Sequence, residues 1–190
     1  MAEQFKNLVD LCEKSCNKFK DRELFGTKVD GSWKWMTYGE FGKLVDDFRG
    51  GLASLGVGAG DKVGIVANNR VEWAVAAYAT YGLGAAFVPM YEAQKADEWR
   101  FILDDCGAKI AIGATPDIYK KLQGVKAQVA SLEHVVGFEE PESDDHSYAA
   151  LLKKGADKPV PAQHPKDGDT AGFIYTSGTT GNPKGVRLTH

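Results

Sequence analysis

Phe5, Leu8, Val9, Cys12, Cys16 and Phe19 recur three or four residues apart and predict an amphipathic helix over 5–19. Leu24–Val29 and Ser32–Met36 read as two strands joined by Asp30-Gly31, a pair that favours tight hairpins. Thr37 and Glu40 have the spacing of a capping box. Phe41, Leu44, Val45, Phe48, Leu52 and Leu55 then continue a helical stripe that Gly56 and Gly58 end. Val63–Ala67 is a short apolar run without alternation, as expected of a strand buried on both faces. Asn69 is placed to cap a helix over 70–81, and Ala85–Pro89 forms the next strand, with Pro89 as its terminator. A helix over 95–105 stopped by Gly107, a strand over 109–112, and a helix from Thr115-Pro116 to about 122 follow. His134–Gly137 is a further strand, and Ser147 caps a short helix that Gly155 ends. Residues 156–169 are a connecting loop, and 170–176 and 186–189 are the last strands. There is no internal repeat. Strands alternating with helices, the strands apolar on both faces, predict an α/β fold: a layered, largely parallel sheet with flanking helices.

Composition narrows the picture little. A chain of 190 residues with 43% hydrophobic content is most simply one domain with a real core. A net charge of −3 offers no basic face for nucleic acid. Three cysteines do not frame a disulfide scaffold and fit a reducing compartment. Cys12 and Cys16 share a helix face, but a zinc site needs two more ligands than the neighbourhood offers, so packing is their expected role. The four histidines show no metal-binding spacing. Trp73–Tyr91 lacks charge over 19 residues, close to a membrane span. Its Gly82, Gly84 and Pro89 instead predict a buried helix turning into a buried strand. The N-terminus has no signal-peptide pattern. The acidic stretch Glu139–Asp145 reads as a solvated loop.

The chemistry concentrates in Tyr175-Thr176-Ser177-Gly178-Thr179-Thr180-Gly181-Asn182-Pro183-Lys184-Gly185-Val186, with four Ser/Thr hydroxyls, three glycines and one lysine. Glycines let backbone approach a ligand, successive N–H groups make anion-binding nests, and hydroxyls and a lysine add donors and charge. This composition predicts a loop that grips phosphates. It is not a Walker A loop, because Lys184 is followed by Gly185 and then by a strand rather than a helix. It is not G-x-G-x-x-G either, since the glycines fall at 178, 181 and 185. A strand–loop–strand clasp is expected.

The segment resembles the phosphate-binding signature of the adenylate-forming superfamily, [YF]-T-S-G-[ST]-T-G-x-P-K-G, at every fixed position from Tyr175 to Gly185. Thr37-Tyr38-Gly39-Glu40-Phe41 resembles the family's T-Y-x-E-L element, and Gly84-Ala85-Ala86-Phe87-Val88-Pro89 its G-A-x-Y-V-P element. Asn68-Asn69-Arg70-Val71-Glu72-Trp73 and the segment 81–92 are similar to the long-chain fatty acyl-CoA synthetase branch. The first two elements are explained locally, as a helix cap and a strand end, and carry no ligand here.

The resemblance implies a two-step ligase. A fatty acid's carboxylate attacks the α-phosphate of ATP, and coenzyme A then displaces AMP. It implies that Thr176, Ser177, Gly178, Thr179, Thr180, Gly181, Lys184 and Gly185 hold the phosphates, that a Thr179 or Thr180 hydroxyl contacts Mg²⁺, and that Pro183 shapes the turn. It implies no catalytic residue within the chain. Residues 1–190 are expected to be the N-terminal portion of the adenylation domain, ending just after the phosphate loop and inactive without the C-terminal remainder. The expected partners are small molecules, not nucleic acid, in the cytoplasm with at most peripheral membrane contact. The alternatives are a non-catalytic phosphate-binding or split-partner protein, and an adenylating enzyme for a medium-chain, aromatic or amino-acid carboxylate.

Overall fold

The structure, a computed structural model, describes residues 4–176 and 183–190. In chain order it places α1 at Leu8–Lys18, β1 at Glu23–Val29, β2 at Ser32–Thr37, α2 at Tyr38–Ser54, β3 at Lys62–Val66 and α3 at Val71–Tyr81. Then come β4 at Ala86–Met90, α4 at Ala96–Asp105, β5 at Ile110–Gly113, α5 at Pro116–Lys126, β6 at His134–Gly137, α6 at Tyr148–Asp157, β7 at Thr170–Thr176 and β8 at Lys184–Thr189. β1 and β2 pair as a separate antiparallel hairpin, and the other strands form one sheet in the order β6-β5-β3-β4-β7-β8. That sheet is parallel up to β7, and β8 returns antiparallel. The layered, largely parallel α/β architecture is the one the buried strands predicted.

Local chemistry explains most element ends. The capping box forms: the Thr37 hydroxyl accepts from Glu40 N–H at 3.2 Å, and the Glu40 carboxylate accepts from Thr37 N–H at 2.7 Å. Gly56 and Gly107, at φ of 80° and 64°, take the left-handed turns that close α2 and α4. Asn7, not Phe5, begins α1: its side chain accepts from Asp10 N–H at 2.8 Å and donates to Pro165 O at 2.7 Å, leaving Phe5 exposed outside the helix. Arg70 replaces Asn69 as the cap position of α3, with no side-chain capping bond. α5 runs a turn past the expected stop, because Leu122 and Val125 keep its apolar face buried.

Two breaker residues sit inside elements. Pro89 lies within β4, opposite Ile65. β4 meets β7 at the single register pair Phe87↔Gly172, so the N–H that proline lacks falls where that ladder has ended. Gly155 lies within α6 and does not end it. A β-carbon there would meet Asp47 O at 1.7 Å, and one at Gly51 would meet Leu151 O at 2.4 Å. Helices α2 and α6 thus cross backbone to backbone, and the glycines are there for close approach.

The core fills the space between the sheet and its helices, with Phe48, Leu52, Ile65, Phe87, Trp99, Ile112 and Leu122 among its most buried side chains. Cys12 packs into it, 4.0 Å from Cys16 sulfur to sulfur. Trp73–Tyr91 divides into most of α3, its turn and β4, and no helix among the described residues is long and apolar enough to cross a membrane.

The fully buried Ser147 caps α6 by accepting from Ala150 N–H at 3.1 Å. Ser147→Ala should therefore lower unfolding free energy by about 1–2 kcal/mol in urea titrations. His134 Nδ1 lies 3.0 Å from His146 Nε2. Burial, then the neighbouring His146, holds the His134 imidazole below its ordinary 6.5. The unfolded chain then binds the proton more readily, so stability falls as pH drops from about 6.5 towards the folded-state value, and is unaffected well above 6.5. His134→Gln should flatten part of that slope in thermal melts, and His190, shifted the same way by burial, should retain part of it.

Candidate active site

A cleft of about 860 Å³ opens where β3, β4 and β7 end. Its walls are Asn68 and Asn69 after β3, Met90 and Tyr91 at the end of β4, Ile174–Thr176 of β7, and Trp73 and Gln94 from the adjoining segments. In parallel α/β sheets this carboxyl edge is where ligands bind, because the connections diverge there and leave backbone groups facing outward.

A polar frame fixes the rim. Asn68 donates to the Glu92 carboxylate from its backbone N–H at 2.9 Å and from its side chain at 2.5 Å, tying the end of β3 to that of β4. Arg70 reaches the ends of β5 and β6. Its Nη1 donates to Ala114 O at 3.2 Å and to Glu139 at 3.0 Å, while its Nε donates to Glu72 at 2.9 Å. Burial raises the Glu72 carboxyl, but the Arg70 hydrogen bond, the hydrogen bond from its own backbone N–H and the Arg70 charge together outweigh it and hold the group below the usual range. Tyr91 N–H donates to Gln94 Oε1 at 3.0 Å, and Trp99 Nε1 donates to Tyr91 O at 3.0 Å, fixing the turn after β4.

The β7–β8 hairpin supplies the third side. Its register sets Thr176 opposite Lys184 and Tyr175 opposite Gly185. A β-carbon at Gly185 would lie 2.9 Å from the Tyr175 ring, so only glycine lets that ring cover the strand. The Tyr175 hydroxyl donates to Asp105 Oδ2 at 2.5 Å. Burial, and then this acceptor, push the phenol well above its ordinary value, so it stays a donor. The two flanking strands pair as expected, with β8 beginning at Lys184, two residues before the predicted Val186. Thr176 lines the cleft and Lys184 is exposed at the hairpin's other arm. Ser177, Gly178, Thr179, Thr180 and Gly181, the centre of the predicted phosphate grip, lie outside the described residues.

Sequence reasoning assigned no role to Asn68, Glu92, Arg70 or Tyr91. The available signal was a polar triplet, Asn68-Asn69-Arg70, directly after an apolar strand, which is where a parallel sheet presents its functional edge.

Residues 12–190 match the AMP-binding enzyme family, and the chain belongs to it. It is 35% identical over 199 residues to long chain acyl-CoA synthetase 6, peroxisomal, of Arabidopsis thaliana, covering 96% of this chain and 28% of that protein. It is 33% identical over 175 residues to the long-chain-fatty-acid–CoA ligase FadD15 of Mycobacterium tuberculosis, covering 89% of this chain and 29% of the relative. The fold is similar to a Mycobacterium tuberculosis fatty acyl CoA synthetase at a TM-score of 0.80 and 26% identity, covering 96% of this chain and 34% of that one. It is also similar to the anthranilate CoA ligase AuaEII in complex with anthranoyl-AMP, at a TM-score of 0.85 and 25% identity, covering 99% of this chain and 35% of that one. The chain thus spans under a third of the length of these two curated relatives.

Proposed function

We propose that this chain is the N-terminal portion of the adenylation domain of a long-chain fatty-acid–CoA ligase, contributing the element that grips the phosphates of ATP. The observation carrying this reading is the β7–β8 hairpin, whose arms set Thr176 opposite Lys184 beside the cleft at the sheet's carboxyl edge. The relatives' names add the substrate class.

In the proposed reaction the fatty acid's carboxylate oxygen attacks the α-phosphorus, and the bond to the bridging oxygen breaks to release pyrophosphate. The coenzyme A thiol then attacks the acyl carbon, loses its proton and expels AMP. Negative charge builds on the departing pyrophosphate in the first step. The hydroxyls of Thr176, Ser177, Thr179 and Thr180, the backbone N–H groups around Gly178 and Gly181, and the Lys184 ammonium are assigned to stabilise that charge. Gly185 keeps the loop's return arm close beneath Tyr175. Among the described residues no cluster of three or more His, Cys, Asp or Glu side chains could hold a metal ion. Magnesium bound through loop hydroxyls and phosphate oxygens needs no such cluster, and Thr179 and Thr180 are the hydroxyls assigned to it. When bound, it would neutralise phosphate charge.

The test is fatty-acid-dependent exchange of labelled pyrophosphate into ATP, by a protein of the relatives' length that includes this chain. Exchange with long-chain acids, and none by residues 1–190 alone, is expected. Exchange driven only by aromatic or amino-acid carboxylates would overturn the substrate class, and exchange by residues 1–190 alone would overturn the division of labour.

A further inference from the structure

Trp33 and Trp35 are 60% and 53% exposed. Their rings stack at 5.9 Å on one face of the β1–β2 hairpin. The hairpin is held at its base and free at its tip. Leu24, Phe25 and Met36 pack against the core, with the Phe25 ring 5.3 Å from that of Phe41, whereas residues 26–28 and 30–35 are exposed. Register places Trp35 across from Gly26 and Trp33 across from Lys28, whose side chain shares the rings' face, with Lys34 between them in sequence and on the hairpin's opposite face. Buried Trp99 gives its indole N–H to a carbonyl, but the indole N–H groups of Trp33 and Trp35 donate to no group among the described residues.

The charge around this tip runs against that of the chain. Residues 18–38 hold five lysine or arginine residues against three acidic ones, in a chain whose net charge is −3. An indole is apolar across its body and carries one polar donor, the character of side chains that settle at the boundary between lipid headgroups and acyl chains. Lysines beside it draw the pair towards anionic headgroups. Two rings at this exposure offer on the order of 250 Å². That is well short of the ~800 Å² per partner of a stable protein interface.

We infer that the β1–β2 tip docks the protein on anionic bilayer surfaces, with Trp33 and Trp35 entering the headgroup layer and Lys28 and Lys34 meeting its charge. The docking is independent of the ligase reading: a chain without adenylation activity would still bind.

The test is co-sedimentation with phosphatidylcholine vesicles, with and without about 30% phosphatidylserine, alongside tryptophan emission and gel filtration. Binding should rise with phosphatidylserine, fall with salt and shift the emission to the blue. Trp33→Ser with Trp35→Ser should weaken partition roughly tenfold or more, and Lys28→Glu with Lys34→Glu should abolish the preference for anionic lipid. Circular dichroism would confirm that both double variants stay folded, and each tests the docking separately. No sedimentation with either vesicle, or binding unchanged in both variants, overturns the inference. So does self-association that only the tryptophan variant loses, since a second copy would then be the occupant.

Discussion

Alanine at Gly155 should cost several kcal/mol of stability, on the order of 3 or more. The added methyl would have to sit 1.7 Å from Asp47 O and 2.7 Å from Gly51 N, backbone atoms of the facing helix that cannot swing aside as a side chain can. Relief requires α6 to lift from α2, which unpacks fully buried Leu151 and exposes the Phe48–Tyr148 contact at 4.9 Å. Gly124→Ala is the matched control: Gly124 lies within α5, and a methyl added there would have nothing within 4 Å, so alanine should stabilise by roughly 0.5–1 kcal/mol. Urea midpoints for the two variants should move in opposite directions. A shift at Gly155 no larger than that of an ordinary surface change would mean that the helix crossing is looser than described.

The second large effect is on chemistry. In a protein of the relatives' length, Lys184→Ala should reduce kcat/KM for adenylation by roughly 10²–10³, the scale on which a single preorganised donor to a developing anion contributes. The same change should leave stability within about 0.5 kcal/mol, because Lys184 is exposed on an edge strand. Lys184→Arg should recover part of the loss, keeping the charge while changing its shape. Unchanged exchange kinetics in Lys184→Ala would remove the lysine from the phosphate grip.

Much of this architecture was legible in the sequence because local rules and tertiary structure agree over most of the chain. The apolar runs at 63–67 and 109–112 become central strands displaced by only one residue, and Thr37, Thr115 and Ser147 cap the helices they precede. Gly155 and Pro89 were misread because contacts between elements decide their roles. Gly155 looks like a stop signal along the chain but is a contact point across it, facing Asp47 more than a hundred positions earlier. Pro89 looks like a terminator but is tolerated because its neighbour ladder is one pair long. The phosphate loop was legible because its chemistry lies in consecutive residues. The cleft beside it was not, because Asn68, Tyr91 and Thr176 come together only when three strands end side by side.

Whether residues 176–185 hold the phosphates of ATP can be read on the chain itself by amide chemical-shift perturbation. On titrating ¹⁵N-labelled protein with MgATP, shifts should concentrate in Thr176–Gly181, Lys184 and Gly185, be reproduced in part by magnesium pyrophosphate and be lost in Lys184→Ala. Shifts confined to other surfaces, with this loop silent at saturating nucleotide, would contradict it.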